Sequence, residues 1–212
     1  MDKKTNRLTE IANKCGTDKG QLFDEGHEYT RYYDYFLSQY TNPKILEIGA
    51  WHGASTRMFN EYYNGQCEIW TVDIDYSPYG YEKQPNIHNE YCNQNLKDNW
   101  DAFFMHCPDK YDIIIDDGSH KPEHQMHTLG WLWNHINKDG IYILEDLHTY
   151  MWDQLNFSPL YFLNFWNRDN QYISAEQFND LYEHLDDVMI FHRRNKNTNY
   201  CGRSITSILR FN

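Results

Sequence analysis

From position 111 the sequence reads Tyr111-Asp-Ile-Ile-Ile-Asp-Asp-Gly-Ser-His120, in which three β-branched isoleucines are followed by two carboxylates, a Gly-Ser pair and a histidine. A short apolar run that ends in a turn is typical of a buried strand in a parallel sheet. In open α/β sheets, ligands bind in the crevice beyond the carboxyl ends of the strands. We therefore predict that Asp116, Asp117 and His120 lie at a ligand-binding edge of such a sheet.

A second stretch repeats this plan. Gly140-Ile-Tyr-Ile-Leu-Glu-Asp146 is an apolar strand candidate that ends in Glu145 and Asp146. Either strand alone would also fit acids that cap the following helix, with His120 as a simple helix-entry residue. Both strands together would deliver four carboxylates and an imidazole to one edge, which favours a functional site.

The composition excludes several classes of protein. The 212 residues suffice for one well-buried domain, and their net charge of −12 argues against nucleic acid as a partner. The sequence has no early apolar segment and no apolar run of roughly 18 residues, which predicts neither a signal peptide nor a membrane span. The five cysteines never form a C-x-x-C pair. This pattern excludes the usual zinc-ribbon spacings and predicts a cytoplasmic, reducing location.

Strand and helix patterns alternate along most of the chain. They predict an α/β fold, a doubly wound, mostly parallel, seven-stranded Rossmann-like sheet with helices on both faces. We expect one domain over residues 1–212, with an N-terminal helical segment at 1–40 and a lid with helices at 147–186. A helix is expected from Pro122 to about Asn137, with a proline where it is best tolerated. The predicted strands are 43–49, 69–75, 87–91, 111–116, 140–146, 187–192 and 203–211.

A glycine turn follows the first predicted strand. The pattern E-x-G-x-x-x-G, formed by Glu47, Gly49 and Gly53, would bring backbone N–H groups close to a ligand. It lacks the third glycine of the dinucleotide fingerprint, which argues against a nicotinamide-dependent sugar oxidoreductase. Asp73 ends the next strand, where an acid can accept hydrogen bonds from both ribose hydroxyls. Asp75 is the alternative, because predicted strand ends are uncertain by a residue or two.

Several of these motifs together resemble a known family. The chain resembles class I S-adenosylmethionine-dependent methyltransferases, and within them the macrocin-type, metal-dependent sugar O-methyltransferases. The motifs that carry the resemblance are Gly16-Thr-Asp-Lys-Gly20 with His27-Glu-Tyr-Thr30, Leu46-Glu-Ile-Gly49 with Gly53-Ala-Ser, Val72-Asp-Ile-Asp75, Ile113-Ile-Ile-Asp-Asp-Gly-Ser-His120 and Leu144-Glu-Asp-Leu-His-Thr149.

The resemblance implies a role for each candidate residue. Glu47, Gly49 and Gly53 would face the methionine part of S-adenosylmethionine, Asp73 would hold the ribose, Asn93 or Gln94 would lie near the adenine, and Asp116 would sit beside the cofactor. Asp117, Glu145 and Asp146 would ligate a divalent metal, and His120 would be the general base.

The implied chemistry agrees with the residue types. Carboxylate oxygens without a thiolate favour Mg²⁺, with Mn²⁺ as a second choice. The acceptor is expected to be a small hydroxylated molecule, most simply a saccharide, and the resemblance leaves a homo-oligomer open. One alternative stays open, a catechol-type enzyme that methylates vicinal phenolic hydroxyls. A non-catalytic binding protein with this fold would be expected to lack an acid at position 117, 145 or 146, and all three acids are present.

Overall fold

The computed structural model describes residues 5–21, 26–75, 84–147, 163, 179–194 and 203–212. Within them, seven strands form one sheet in the order β3-β2-β1-β4-β5-β7-β6. All neighbouring strands are parallel except β7, which is antiparallel to both β5 and β6. The strands are β1 (Lys44–Ile48), β2 (Glu68–Asp73), β3 (Ile87–Tyr91), β4 (Tyr111–Asp116), β5 (Ile136–Leu144), β6 (Leu185–Arg194) and β7 (Arg203–Phe211). The predicted fold class is confirmed.

Helices cover both faces of the sheet. The described helices are α1 (Arg7–Cys15), α2 (Thr30–Leu37), α3 (Ala54–Tyr62), α4 (Lys97–Phe104), α5 (Pro122–Leu132) and α6 (Asn179–His184). Side chains of α1, α2 and α3 pack on one face, and those of α4 and α5 pack on the other. Side chains alternate between the two faces of a strand. Ile113 and Ile115 of β4 therefore pack in the core beneath α1, α2 and α3, and Ile114 packs in the core beneath α4 and α5. No helix in the described part of the chain is long and apolar enough to cross a membrane.

Several predicted strand boundaries differ from the structure by one or two residues, and the largest difference lies between α5 and β5. Helix α5 ends at Leu132, a 3₁₀ turn follows at Trp133–His135, and β5 begins at Ile136, earlier than predicted. Ile136 pairs with Tyr111 of β4, and the Asn137 side chain donates a 2.7 Å hydrogen bond to Asp112 Oδ1. Pairing with β4 thus makes the polar segment 136–139 part of the sheet. The spacing of apolar residues along the sequence does not predict this pairing. The predicted lid at residues 147–186 lies mostly outside the described residues.

The turn after β1 brings the carboxyl ends of β1 and β4 into close contact. Gly49 has φ +86°, and a Cβ at this position would lie 2.2 Å from the carbonyl oxygen of Asp117. The backbone N–H of Asp117 in turn donates to the carbonyl of Ile48 at 2.9 Å. Only glycine allows both this backbone conformation and this approach.

We expect Gly49→Ala to lower the free energy of unfolding by clearly more than the roughly 1–2 kcal/mol that a left-handed backbone alone costs an alanine. Gly65→Ala is the matched control, because Gly65 has φ +73° but an added Cβ would meet nothing within 4 Å. Urea denaturation of the two variants measures the difference. If both variants lose the same free energy of unfolding, the contact with Asp117 does not restrict the side chain at position 49.

Candidate active site

A cavity of about 1220 Å³ lies at the carboxyl ends of the central strands. Its wall contains residues from the glycine turn, from the ends of β2, β4 and β5, and from the loop after α1. Seven of the predicted site residues line it: Gly49, Asp73, Asn93, Gln94, Asp117, His120 and Asp146. The other four, Glu47, Gly53, Asp116 and Glu145, are buried and do not line the cavity.

Asp73 presents a structured carboxylate at one end of the cavity. Its Oδ2 accepts a 2.9 Å hydrogen bond from the backbone N–H of Trp51, and its Oδ1 accepts one of 3.0 Å from the N–H of Asp75. Asp75 itself is exposed and does not line the cavity. The geometry therefore favours Asp73 over Asp75 as the acid that faces a ligand.

Glu47 and Gly53 shape the same turn from behind. Gly53, with φ +66°, starts α3. The Glu47 side chain is fully buried and accepts a 2.5 Å hydrogen bond from the Thr56 hydroxyl, while its Oε1 has no partner among the described residues. Burial raises the pKa of Glu47. This carboxyl group fixes the first strand to the start of α3.

Gln94 lines the cavity and connects Asp116, at the end of β4, with the loop that follows this strand. Its amide nitrogen donates to Asp116 Oδ1 at 3.1 Å, and its oxygen accepts a 2.6 Å hydrogen bond from the N–H of Ser119. Asp116 is fully buried, and burial raises its pKa to about 6 despite the hydrogen bond from Gln94. Asn93 borders the cavity beside them, and its Oδ1 accepts from the N–H of Asn95 at 3.1 Å. The Gln94 amide and the Asp116 carboxyl group thus support the loop after β4.

Asp117, His120 and Asp146 come together in the wall of the same cavity. Each offers one potential metal-ligand atom, and these atoms lie within 4.8 Å of one another. His120 and Asp146 both have positive φ, at 56° and 55°. Such a backbone conformation is uncommon outside glycine and costs about 1–3 kcal/mol per residue, a strain that clusters at functional sites. His120 Nε2 lies 3.7 Å from Asp146 Oδ2.

Glu145 does not belong to this group and instead meets a lysine. It is 1% exposed, and its Oε2 lies 2.7 Å from the Nζ of Lys19, which also contacts Asp117 Oδ2. Glu145 Oε1 is buried and has no partner among the described residues. Burial alone would lower the pKa of Lys19, but the carboxylates of Asp117 and Glu145 outweigh this effect and raise it well above its usual value. The ammonium group is therefore charged at neutral pH.

Two further side chains reach the site from the N-terminal segment. The Tyr29 hydroxyl donates a 2.7 Å hydrogen bond to Asp146 Oδ1, and His27 Nδ1 lies 3.6 Å from the same oxygen. Burial raises the pKa of Tyr29 well above its usual value, so the hydroxyl keeps its proton. We assigned no site role to Lys19, His27 or Tyr29 from the sequence, although all three stand in the Gly16–Gly20 and His27–Thr30 motifs.

The donor set fits a hard divalent cation. Carboxylate oxygens are the preferred ligands of Mg²⁺ and Mn²⁺, and an imidazole is compatible with Mn²⁺. The unpartnered Oε1 of Glu145 is a buried oxygen that a cation would satisfy. The acidic cluster therefore suits a metal better than it suits an anionic ligand.

Comparison with known proteins agrees with this architecture. Residues 46–147 match the family described as Methyltransferase domain. The chain is 30% identical over 158 residues to mycinamicin VI 2''-O-methyltransferase of Micromonospora griseorubida. It is 29% identical over 160 residues to demethylmacrocin O-methyltransferase of Streptomyces fradiae. Each alignment covers 68% of this chain and 37% of the relative, so the chain spans little more than a third of the length of these relatives.

Solved structures share the fold. MycE methyltransferase from the mycinamycin biosynthetic pathway, in complex with Mg, SAH and mycinamycin VI, superimposes with a TM-score of 0.74 at 22% identity. This match covers 98% of the present chain and 55% of that one. A putative ribosomal RNA methyltransferase from Plasmodium falciparum matches with a TM-score of 0.53 at 15% identity, over 87% of this chain and 94% of that one. The chain therefore shares the fold of these methyltransferases, its residues 46–147 match the methyltransferase-domain family, and it resembles the macrocin-type sugar O-methyltransferases.

Proposed function

We propose that the protein is an S-adenosylmethionine-dependent O-methyltransferase that methylates a hydroxyl of a sugar or of a glycosylated small molecule. The observation that carries the proposal is one cavity whose wall contains both the Gly49 turn with Asp73 and the group of Asp117, His120 and Asp146. The names of the relatives, which are sugar O-methyltransferases, support a saccharide acceptor.

The cofactor would occupy the end of the cavity formed by the glycine turn. Asp73 would present its carboxylate to the ribose, Gly49 and Gly53 would keep the backbone close to the methionine part, and Asn93 or Gln94, which both line the cavity, would lie near the adenine. Glu47 and Asp116 would support the site from behind, since their carboxyl groups already accept hydrogen bonds within the protein. The cofactor, when bound, supplies an electrophilic methyl group on a sulfonium.

The metal would lie on Asp117 and Asp146, and Glu145, which stands outside their group, would complete the ligand set with its Oε1, which is unpartnered among the described residues. Mg²⁺ is the preferred ion and Mn²⁺ a suitable substitute, because the ligands are carboxylate oxygens. A bound cation would lower the pKa of the acceptor hydroxyl and orient it. Because the carboxylates and the glycine turn share one cavity, the site would hold the hydroxyl in line with the methyl group, which is the main source of acceleration in such a displacement.

His120 would receive the proton that the acceptor loses. In the balanced reaction, a C–O bond forms as the methyl C–S bond breaks, the bonding pair stays on sulfur, and the hydroxyl proton passes to the imidazole. Asp146 Oδ2, 3.7 Å from His120 Nε2, stabilises the imidazolium that results. Transfer to a positioned base contributes about 10²–10⁴-fold to the rate.

The surroundings of the enzyme follow from charge and cysteine chemistry. The net charge of −12 disfavours nucleic acid as a substrate, although some fold neighbours are named ribosomal RNA methylases. Four cysteines in the described part of the chain are free thiols, which supports a cytoplasmic location.

We expect Asp73→Ala to weaken S-adenosylhomocysteine binding by about 10- to 150-fold, which corresponds to roughly 1.5–3 kcal/mol for charge-assisted hydrogen bonds to the ribose. Asp75→Ala is the matched control and should leave the affinity nearly unchanged, because Asp75 is exposed and outside the cavity. Isothermal titration calorimetry measures both. The same affinity for a folded Asp73→Ala variant and for the unmodified protein would remove the ribose role from Asp73.

We expect EDTA to abolish methyl transfer while the affinity for S-adenosylhomocysteine stays nearly unchanged, because Asp73 and the backbone of the glycine turn are not among the proposed metal ligands. Asp117→Asn should mimic chelation and recover partly at high Mg²⁺. The assay follows transfer of a labelled methyl group from S-adenosylmethionine to a panel of glycosides. Full activity in EDTA would exclude a metal from the mechanism.

We expect His120→Ala to bind metal and cofactor normally but to lose about 10²–10⁴-fold in rate. Its residual rate should rise with pH, as hydroxide or an ionised acceptor replaces the base. His127→Ala is the control from the same region, since His127 contacts Asn95 and does not line the cavity. An unchanged rate for His120→Ala would reduce this histidine to a structural residue at the start of α5.

A further inference from the structure

Lys19 is the most unusual charged residue near the candidate site. Its side chain is 2% exposed, and its ammonium group contacts Asp117 Oδ2 and, at 2.7 Å, Glu145 Oε2. A buried ammonium group is stable only when it is paired and hydrogen-bonded. Lys19 therefore lies at this site because of the two carboxylates, which follow different strands.

The backbone of Lys19 is fixed independently of these ion pairs. Its carbonyl accepts hydrogen bonds from the N–H and the hydroxyl of Thr30, both at 3.2 Å. The neighbouring carbonyl of Asp18 accepts a 2.7 Å bond from the N–H of His27. Gly16, with φ +76°, ends α1 and turns the chain toward the site. The lysine thus comes from a constrained loop, which can hold its partners at set positions.

Each carboxylate proposed as a metal ligand has one oxygen held by the N-terminal segment. Lys19 holds Asp117 Oδ2 and Glu145 Oε2, and Tyr29 holds Asp146 Oδ1. The second oxygen of Glu145 is buried without a partner among the described residues, and that of Asp146 lies toward His120. A cation could bind these second oxygens while the first ones keep their contacts.

We propose that Lys19 is a positioning residue of the metal site, which fixes Asp117 and Glu145 for a divalent cation, and that Tyr29 does the same for Asp146. The inference rests on the proposed function, because it assigns these carboxylates to a metal. It extends the site to a part of the chain far from the strands that carry the ligands. A competing role is a lysine that occupies the metal position and must be displaced, and the two roles change metal affinity in opposite directions.

The experiment measures Mn²⁺ binding by titration calorimetry and by electron paramagnetic resonance, in the presence of S-adenosylhomocysteine. We expect Lys19→Met to weaken Mn²⁺ binding by about 10- to 100-fold, the usual effect of removing a group that orients a metal ligand. Lys14→Met is the matched control from the end of α1, because Lys14 is exposed and pairs with Glu61 on the surface. It should bind Mn²⁺ as the unmodified protein does.

Tyr29→Phe provides a second, milder test. It keeps the ring in the core but removes the hydroxyl that donates to Asp146, and we expect weaker Mn²⁺ binding with unchanged S-adenosylhomocysteine affinity. If circular dichroism shows that Lys19→Met does not fold, the Tyr29→Phe variant tests the proposal instead. Unchanged Mn²⁺ affinity of Tyr29→Phe would then overturn it.

The outcomes separate this inference from the proposed function. Unchanged or tighter Mn²⁺ binding by folded Lys19→Met overturns the positioning role, and tighter binding identifies Lys19 as a competitor of the metal. Either result leaves the proposed methyltransferase function intact. No Mn²⁺ binding by the unmodified protein would overturn the metal site itself and this inference with it.

Discussion

The close approach of two carboxylates at the ends of neighbouring parallel strands is the constraint on which the site depends. Asp116 of β4 pairs with Leu144 of β5, so the next residues, Asp117 and Glu145, leave the sheet side by side. Glu145 is almost completely buried, and two such charges repel each other strongly where water is excluded. The fold must supply positive charge at this point, and it does so with Lys19.

This requirement explains why the N-terminal segment belongs to the site. Helices α1 and α2 pack with α3 on one face of the sheet and so carry the loop between them to its carboxyl edge. The loop contributes Lys19, and the start of α2 contributes Tyr29, whose ring is buried and whose hydroxyl reaches Asp146. The same packing therefore stabilises the domain and orders the acidic cluster.

Local sequence predicted the elements that have strong patterns. The isoleucines of β4, the glycine turn after β1 and the proline at the start of α5 each have a local physical cause, and their strands and helices form where expected. Strand order at one edge also placed Asp117, His120 and Asp146 together, and they share a cavity. These predictions succeeded because period, turn chemistry and parallel topology are encoded over short distances.

Contacts between distant parts of the chain could not be predicted in this way. Lys19 lies 98 positions before Asp117 and 126 before Glu145, and no periodicity links them. Similarly, the resemblance implies that Asn93 or Gln94 lies near the adenine, but it does not reveal that the Gln94 amide also hydrogen-bonds to Asp116 and to the loop after β4. The direction of such a side chain depends on tertiary packing.

The central claim is that one cavity holds a cofactor and a divalent metal side by side, with the metal on carboxylates that the N-terminal segment positions. A crystal structure with S-adenosylhomocysteine and Mn²⁺, measured near the manganese absorption edge, tests it most directly. The account predicts an anomalous peak in contact with oxygens of Asp117 and Asp146, Lys19 still on Asp117, and the ribose on Asp73. A peak elsewhere, or a ribose away from Asp73, would contradict it.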